Sequence, residues 1–171
     1  MKLTWISSEG GPLLVAPQSA VSSWAGVPDL DGPAQARDDY GRACSVDGYI
    51  GLVDVGERQA LVLGDEPAMT TYLAGERLFL RWVAAQEEDD LIHAARRALH
   101  GVPDGDQTEE VLWEVDGPVV LFDSGRAGTE LEPDTCLVVD LEPATYRVRA
   151  VYREDGENWM ILVHLHPVPP D

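Results

Sequence analysis

An α+β domain made mostly of antiparallel sheet is the fold class this sequence predicts. Three observations carry it. Pairs of strand-like runs flank short turn signals, one long segment has helical spacing, and several strand-like runs are apolar at consecutive positions. The first argues for successive hairpins. The second supplies one main helix, and the third requires cover on both faces of the sheet. A length of 171 residues with 44% apolar content suits a single domain, 1–171, with its own core.

The elements follow in order. "LTWI" (3–6) and "PLLVA" (12–16) read as strands separated by the turn-forming "SSEGG". Ser19 is placed to cap a short helix ending near Trp24. Residues 25–36, rich in Gly, Pro and Asp, read as a loop. "YIGLVDV" and "QALVLG" flank Gly56-Glu57, and "AMTTYLA" and "RLFLRWV" flank Gly75-Glu76. In both, Gly is expected to supply the positive φ of a II′ turn. "EVLWEV" and "PVVLFDS" flank Asp116-Gly117, the other strong hairpin signal, and "TYRVRAVYR" and "WMILVHLH" surround "EDGEN". The helix is expected at about 86–100, where Leu91, Ile92, Ala95, Ala98 and Leu99 share a face. Its acidic opening and its Arg96 and Arg97 suit the helix dipole, and Gly101 and Pro103 stop it. Residues 101–110 form an acidic loop. "ALVL", "VVLF" and "CLVV" are expected to be covered on both faces.

Charge narrows the function. The formal net charge is -19, from 31 acidic and 12 basic residues. Such a field repels nucleic acid and anionic membrane and attracts a basic partner, and it also serves solubility. Eleven of the twelve bases are Arg, a skew that fits a GC-rich genome better than a mechanism. Cys44 and Cys136 stand in no metal-ligand spacing and read as two small buried thiols in a reducing compartment. "MKLTWISSEGG" lacks the apolar stretch of a secretory signal, and no apolar run is long enough for a bilayer span. A cytoplasmic location is therefore expected.

The motifs of standard chemistry are missing: no phosphate-binding loop, GxGxxG, GxSxG or HExxH occurs. Cys44 in "YGRACSVDG" has no local activating base, so a structural thiol is the simpler reading than a nucleophile. His164 and His166 share one side of a strand, as paired metal ligands do, but no third ligand accompanies them. No metal or other cofactor is expected. Arg147, Arg149 and Arg153 alternate along a strand and are expected to pair with carboxylates rather than to bind an anion. In "LVLGDEPAMT" (61–70), Gly64, Asp65, Glu66 and Pro67 read as a structural turn between two strands. A catalytic use of Asp65 and Glu66 is the competing reading, because a bend could bring the two carboxylates together.

Several segments carry a resemblance. "WISSEGGPLLVAP", "DDYGRACSVDGYIGLVDVGERQALVLGDEPAMTTYL", "RLFLRW", "GPVVLFDS" and "DLEPATYRVRAVY", in this order, look like the immunity protein 21 family of bacterial polymorphic toxin systems. The resemblance runs from about Trp5 to the last strand, and "YGRAC" and "LGDEP" are its most specific parts. It implies an α+β cytoplasmic protein that binds and blocks a toxin without catalysis. It also implies that Gly10, Gly11, Tyr40, Gly64, Asp65 and Pro67 belong to the scaffold, with specificity in variable loops.

The first functional expectation is thus an immunity protein for a cognate toxin, conjectured from charge to be a basic nuclease. The alternatives are a small metal-dependent hydrolase and a small-ligand-binding domain. Glu87, Glu88, Asp89 and Asp90 at the helix start, with Asp104, Asp106, Glu109 and Glu110 in the following loop, are the expected toxin-binding residues. They make one continuous acidic edge if the loop folds back beside the helix start.

Overall fold

The computed structural model describes residues 3–27, 38–101 and 108–170. Its ten strands form two five-stranded antiparallel sheets. In chain order, β1 (Leu13–Pro17) is followed by α1 (Asp39–Cys44), β2 (Ile50–Val55), β3 (Arg58–Leu63), β4 (Thr70–Leu73) and β5 (Leu78–Ala84). Then come α2 (Glu88–Gly101), β6 (Glu109–Val115), β7 (Val119–Asp123), β8 (Cys136–Val139), β9 (Ala144–Asp155) and β10 (Asn158–Pro167). The first sheet has the order β2-β3-β1-β7-β8 and the second β4-β5-β10-β9-β6.

Alternation along each strand explains why the apolar runs are continuous. In the first sheet Leu13, Val15, Leu61, Leu63, Val119 and Leu121 face the second sheet. From the second sheet Phe79, Trp113, Val148, Ile161 and Val163 complete that central core. The residues between them, such as Leu14, Val62, Val120 and Phe122, point the other way. They meet Trp24 and Ala43 in a second core under α1. On the far side of the second sheet, Leu91, Ala94 and Ala95 of α2 cover Leu78, Leu80, Met160 and Leu162. Both sheets are thus covered on both faces over much of their area, and "ALVL" and "VVLF" are buried throughout. "CLVV" departs from the expectation: it is the edge strand β8, and Val138 is 51% exposed.

Three expected hairpins form, β2/β3, β4/β5 and β9/β10. Gly56 and Gly156 carry positive φ in the first and last. In the β4/β5 turn the positive φ falls on Arg77 (51°) and not on Gly75, because a 3-10 turn, Ala74–Glu76, closes that loop. The Asp116-Gly117 hairpin does not form. β6 pairs with β9, whereas β7 pairs with β1 and β8, so the dipeptide carries the chain from one sheet to the other. The burial patterns give the reason. β6 is buried on one side only, which fits an edge, and β7 is buried throughout, which fits the interior of a covered sheet.

Other local expectations are corrected too. "LTWI" makes no strand; Ile6 alone bridges to Thr70. The short helix before Trp24 is a 3-10 turn, Val21–Ser23, without a side-chain cap, and the Ser19 hydroxyl instead donates to Asp116. "DYGRAC" folds as α1, with the Asp38 carboxylate accepting the Gly41 N–H as its N-cap.

Candidate functional site

The turn Gly64–Pro67 is where the chain leaves the first sheet for the second. Gly64 donates its N–H to the Tyr49 carbonyl at 2.8 Å. A Cβ there would lie 2.7 Å from the Gly48 carbonyl oxygen, so only glycine fits. Asp65 follows with φ of 71°, a left-handed conformation that Asp tolerates better than most residues.

What holds this turn comes from β5. Arg81 is fully buried, and its guanidinium donates to the carbonyls of Gly64 and Glu66, each at 2.5 Å. Burial pushes the Arg81 pKa down to about 10, while nearby Asp65 and Glu66 work in the opposite direction. The guanidinium therefore stays charged at neutral pH, with two exposed carboxylates as its counter-charge. Asp65 and Glu66 flank a cation that belongs to the scaffold. Their carboxylates take no hydrogen bond among the described residues.

Beside this turn lies a cleft of about 370 Å³. Three segments line it: Gly10–Pro12, α1 with the following loop from Tyr40 to Gly48, and Gly64–Pro67. Gly11 is needed because a Cβ would strike the Tyr40 ring, 2.3 Å from its hydroxyl. The Tyr40 phenol has a raised pKa, first through its hydrogen bond with Cys44 and then through burial. Cys44 itself is exposed, not the buried thiol the composition suggested, and Cys136 is half-buried. A short helix at the surface presents Cys44 to the cleft, beside a phenol and not beside an imidazole. That pairing supplies no general base for a thiol nucleophile. Asp47, Asp65 and Glu66 make the cleft acidic, and among the described residues no Lys, Arg or His lines it.

The segments that converge here are "EGGP", "YGRAC" and "LGDEP", which are distant in sequence. The chain matches the family model described as immunity protein 21 over residues 4–158. The chain belongs to the immunity protein 21 family. No curated protein and no solved structure matches it.

The family assignment supports an immunity role, and the remaining candidate residues can be placed against it. His164 and His166 lie on the outer face of the second sheet with ring centroids 4.0 Å apart. Burial, and then His166, lower the pKa of His164. No cluster of three or more His, Cys, Asp or Glu placed to hold a metal occurs among the described residues. Arg147 and Arg149 share the Glu110 carboxylate, at 3.2 and 2.9 Å. Arg153 donates to the Tyr152 carbonyl.

The described members of the two acidic groups lie apart. Glu88 accepts the indole N–H of Trp5, whose neighbour Ile6 is bonded to β4. Glu109 and Glu110 begin β6, at the opposite edge of the same sheet. Four strand spacings separate the two edges, roughly 19 Å. Glu109 also turns inward to accept the Tyr49 and Ile50 N–H groups. Glu87, Asp89 and Asp90 are exposed, and Asp104 and Asp106 lie outside the described residues. Sequence reasoning missed Arg81 as the anchor. The signal was a lone charge inside the apolar run "LFLRWV".

Proposed function

We propose that this protein binds a cognate bacterial toxin in the cytoplasm and neutralises it by stoichiometric association, without catalysis of its own. The observation that carries this is the family match over residues 4–158. The net charge of -19 supports a toxin with a basic surface, such as a nuclease uses to hold phosphates, and disfavours nucleic acid or anionic membrane as partners. The pairing of Cys44 with a phenol supports a binding role over acyl transfer. Glu87, Asp89 and Asp90 are free to guide a basic surface during encounter. Glu109 and Glu110 serve the fold through Tyr49, Ile50, Arg147 and Arg149.

The test is co-expression with the toxin domain encoded beside this gene. Growth should be rescued, and the purified pair should elute as a complex of fixed stoichiometry whose association slows as salt rises. Rescue by catalytic amounts of the protein, with the toxin or its product chemically altered, would show an enzyme instead.

A further inference from the structure

The two sheets end in four edge strands, and the structure treats one of them differently. The free side of β4 is met by Ile6, which exchanges two backbone hydrogen bonds with Thr70, and by Thr4, whose carbonyl accepts from Thr71. The start of β2 gives its N–H groups to Glu109, and the Asp54 carbonyl accepts from Arg42. β6 packs beside β2 and carries Glu110 and Glu114. These are the ordinary ways in which proteins close an edge. β8 has none of them. Cys136–Val139 contains no charge and no proline, pairs among the described residues only with β7, and leaves Val138 half exposed.

The flanks of β8 are strongly biased. Glu130, Glu132, Asp134, Asp140 and Glu142 are all exposed, and no base lies between residues 130 and 142. None of the five carboxylates forms an ion pair among the described residues. A second copy of this chain is a poor occupant. Antiparallel pairing of β8 with itself would set Asp134 of one copy near Asp140 of the other, acid against acid at both ends of the strand. We propose that β8 is a docking edge at which the toxin adds an extended, basic strand. Backbone hydrogen bonds would supply the contact, and lysines or arginines on the added strand would meet the flanking carboxylates. A four-residue edge is too short to be a whole interface, so it acts as the register-setting part of a larger one.

This inference rests on the immunity reading, and the experiment separates the two. Hydrogen–deuterium exchange is measured on the protein alone and with the toxin domain encoded beside its gene. Slowed exchange at Cys136–Val139 in the complex is the expected result. A complex that protects other segments but leaves β8 unchanged overturns the docking edge and leaves the immunity reading standing. Failure to form any complex or to rescue growth overturns both. Val138→Lys should weaken binding at least tenfold while shifting the melting temperature by no more than about 2 °C, because the position is half exposed. If that variant does not fold, Asp134→Lys with Asp140→Lys, both outside the strand, replaces it and should slow association at low salt. Wild-type affinity and rate in a folded variant of either kind would overturn the proposal. So would a dimer of the free protein that Val138→Lys dissolves.

Discussion

Three passages carry the chain from one sheet to the other, after β3, after β6 and after β8, and the first two are held in opposite ways. At Gly64–Met69 the turn is wrapped around a buried cation, with Arg81 bonded to two of its carbonyls. At Asp116–Pro118 the turn is pinned from outside, by the Ser19 hydroxyl and by Arg58, both on the Asp116 carboxylate. Each contains a charged pair on paper. In the first, desolvation makes a missing partner expensive, because the buried Gly64 carbonyl would be left without its donor. In the second, water can replace any partner that is lost. The lesson is that the same residue types, Arg beside Asp, differ in consequence by where the guanidinium sits. "LGDEP" lies at the passage with the buried one.

The sharpest way to break this contrast is Arg81→Met. Methionine fills much of the space but leaves the Gly64 carbonyl without its donor and takes one of two donors from the Glu66 carbonyl, which keeps the Ala68 N–H. A loss of about 3–5 kcal/mol is expected, a large share of the roughly 5–15 kcal/mol by which a domain is ordinarily stable. Chemical denaturation of the variant measures it. Arg81→Lys should fall between, since one ammonium keeps the charge but cannot reproduce the planar fork. Wild-type stability in Arg81→Met would show that the turn holds itself.

Gly64→Ala attacks the same passage from the backbone. The added methyl would lie 2.7 Å from the Gly48 carbonyl oxygen, so one of the two loops must shift. A cost of about 1–3 kcal/mol is expected. Thermal melting of the variant beside wild type checks it, and an unchanged midpoint would mean that the loop yields freely.

The sequence made much of this architecture legible, for local reasons. The β2/β3 and β9/β10 turns were readable because glycine at positive φ is a local demand. The helix was readable from its own spacing and caps. The Asp116-Gly117 passage was not, because a tight turn looks alike whether the strands beside it pair or part. Only the one-sided pattern of β6 against the fully buried β7 distinguishes the cases. α1 was hidden by its length of six residues, too short for periodicity to register. In the site, the bend at Gly64–Pro67 could be read from Gly and Pro. Its anchor could not, since Arg81 lies on a different strand and reaches the turn only after β4 and β5 have paired. The expected acidic edge depended on a loop whose Asp104 and Asp106 lie outside the described residues. Sequence proximity between α2 and β6 says nothing about where α2 begins relative to the far side of the sheet.

Asp65 separates two contributions within the buried passage. The sequence marks it as part of a structural turn, and the structure shows it as a left-handed residue near a cation. Asp65→Ala should cost about 1 kcal/mol, mostly from placing a Cβ-bearing residue without a polar side chain at φ of 71°. Asp65→Asn keeps the tolerance for that conformation and removes the charge, so it should lose less. Urea melts of both variants decide the order. If Asn and Ala cost the same, the charge opposite Arg81 is what matters and the backbone argument fails.

The smallest effect belongs to the exposed passage and completes the contrast. Arg58 approaches Asp116 at 3.5 Å and Glu114 only at 4.0 Å, and its side chain is 41% exposed. Arg58→Ala frees a carboxylate that still accepts from Ser19 and can still reach water. The loss should stay within about 0.5 kcal/mol. Adding salt should shrink even that difference, because a solvent-exposed pair is screened over the Debye length. At the buried passage salt should change little, since no mobile ion can come between Arg81 and its carbonyls. Stability of wild type, Arg58→Ala and Arg81→Lys, measured at low and high ionic strength, therefore tests the comparison itself. Arg58→Ala should approach wild type as salt rises, and Arg81→Lys should keep its full deficit. A salt-dependent deficit in Arg81→Lys would mean that the carboxylates of Asp65 and Glu66, and not the carbonyls, carry the hold on that guanidinium.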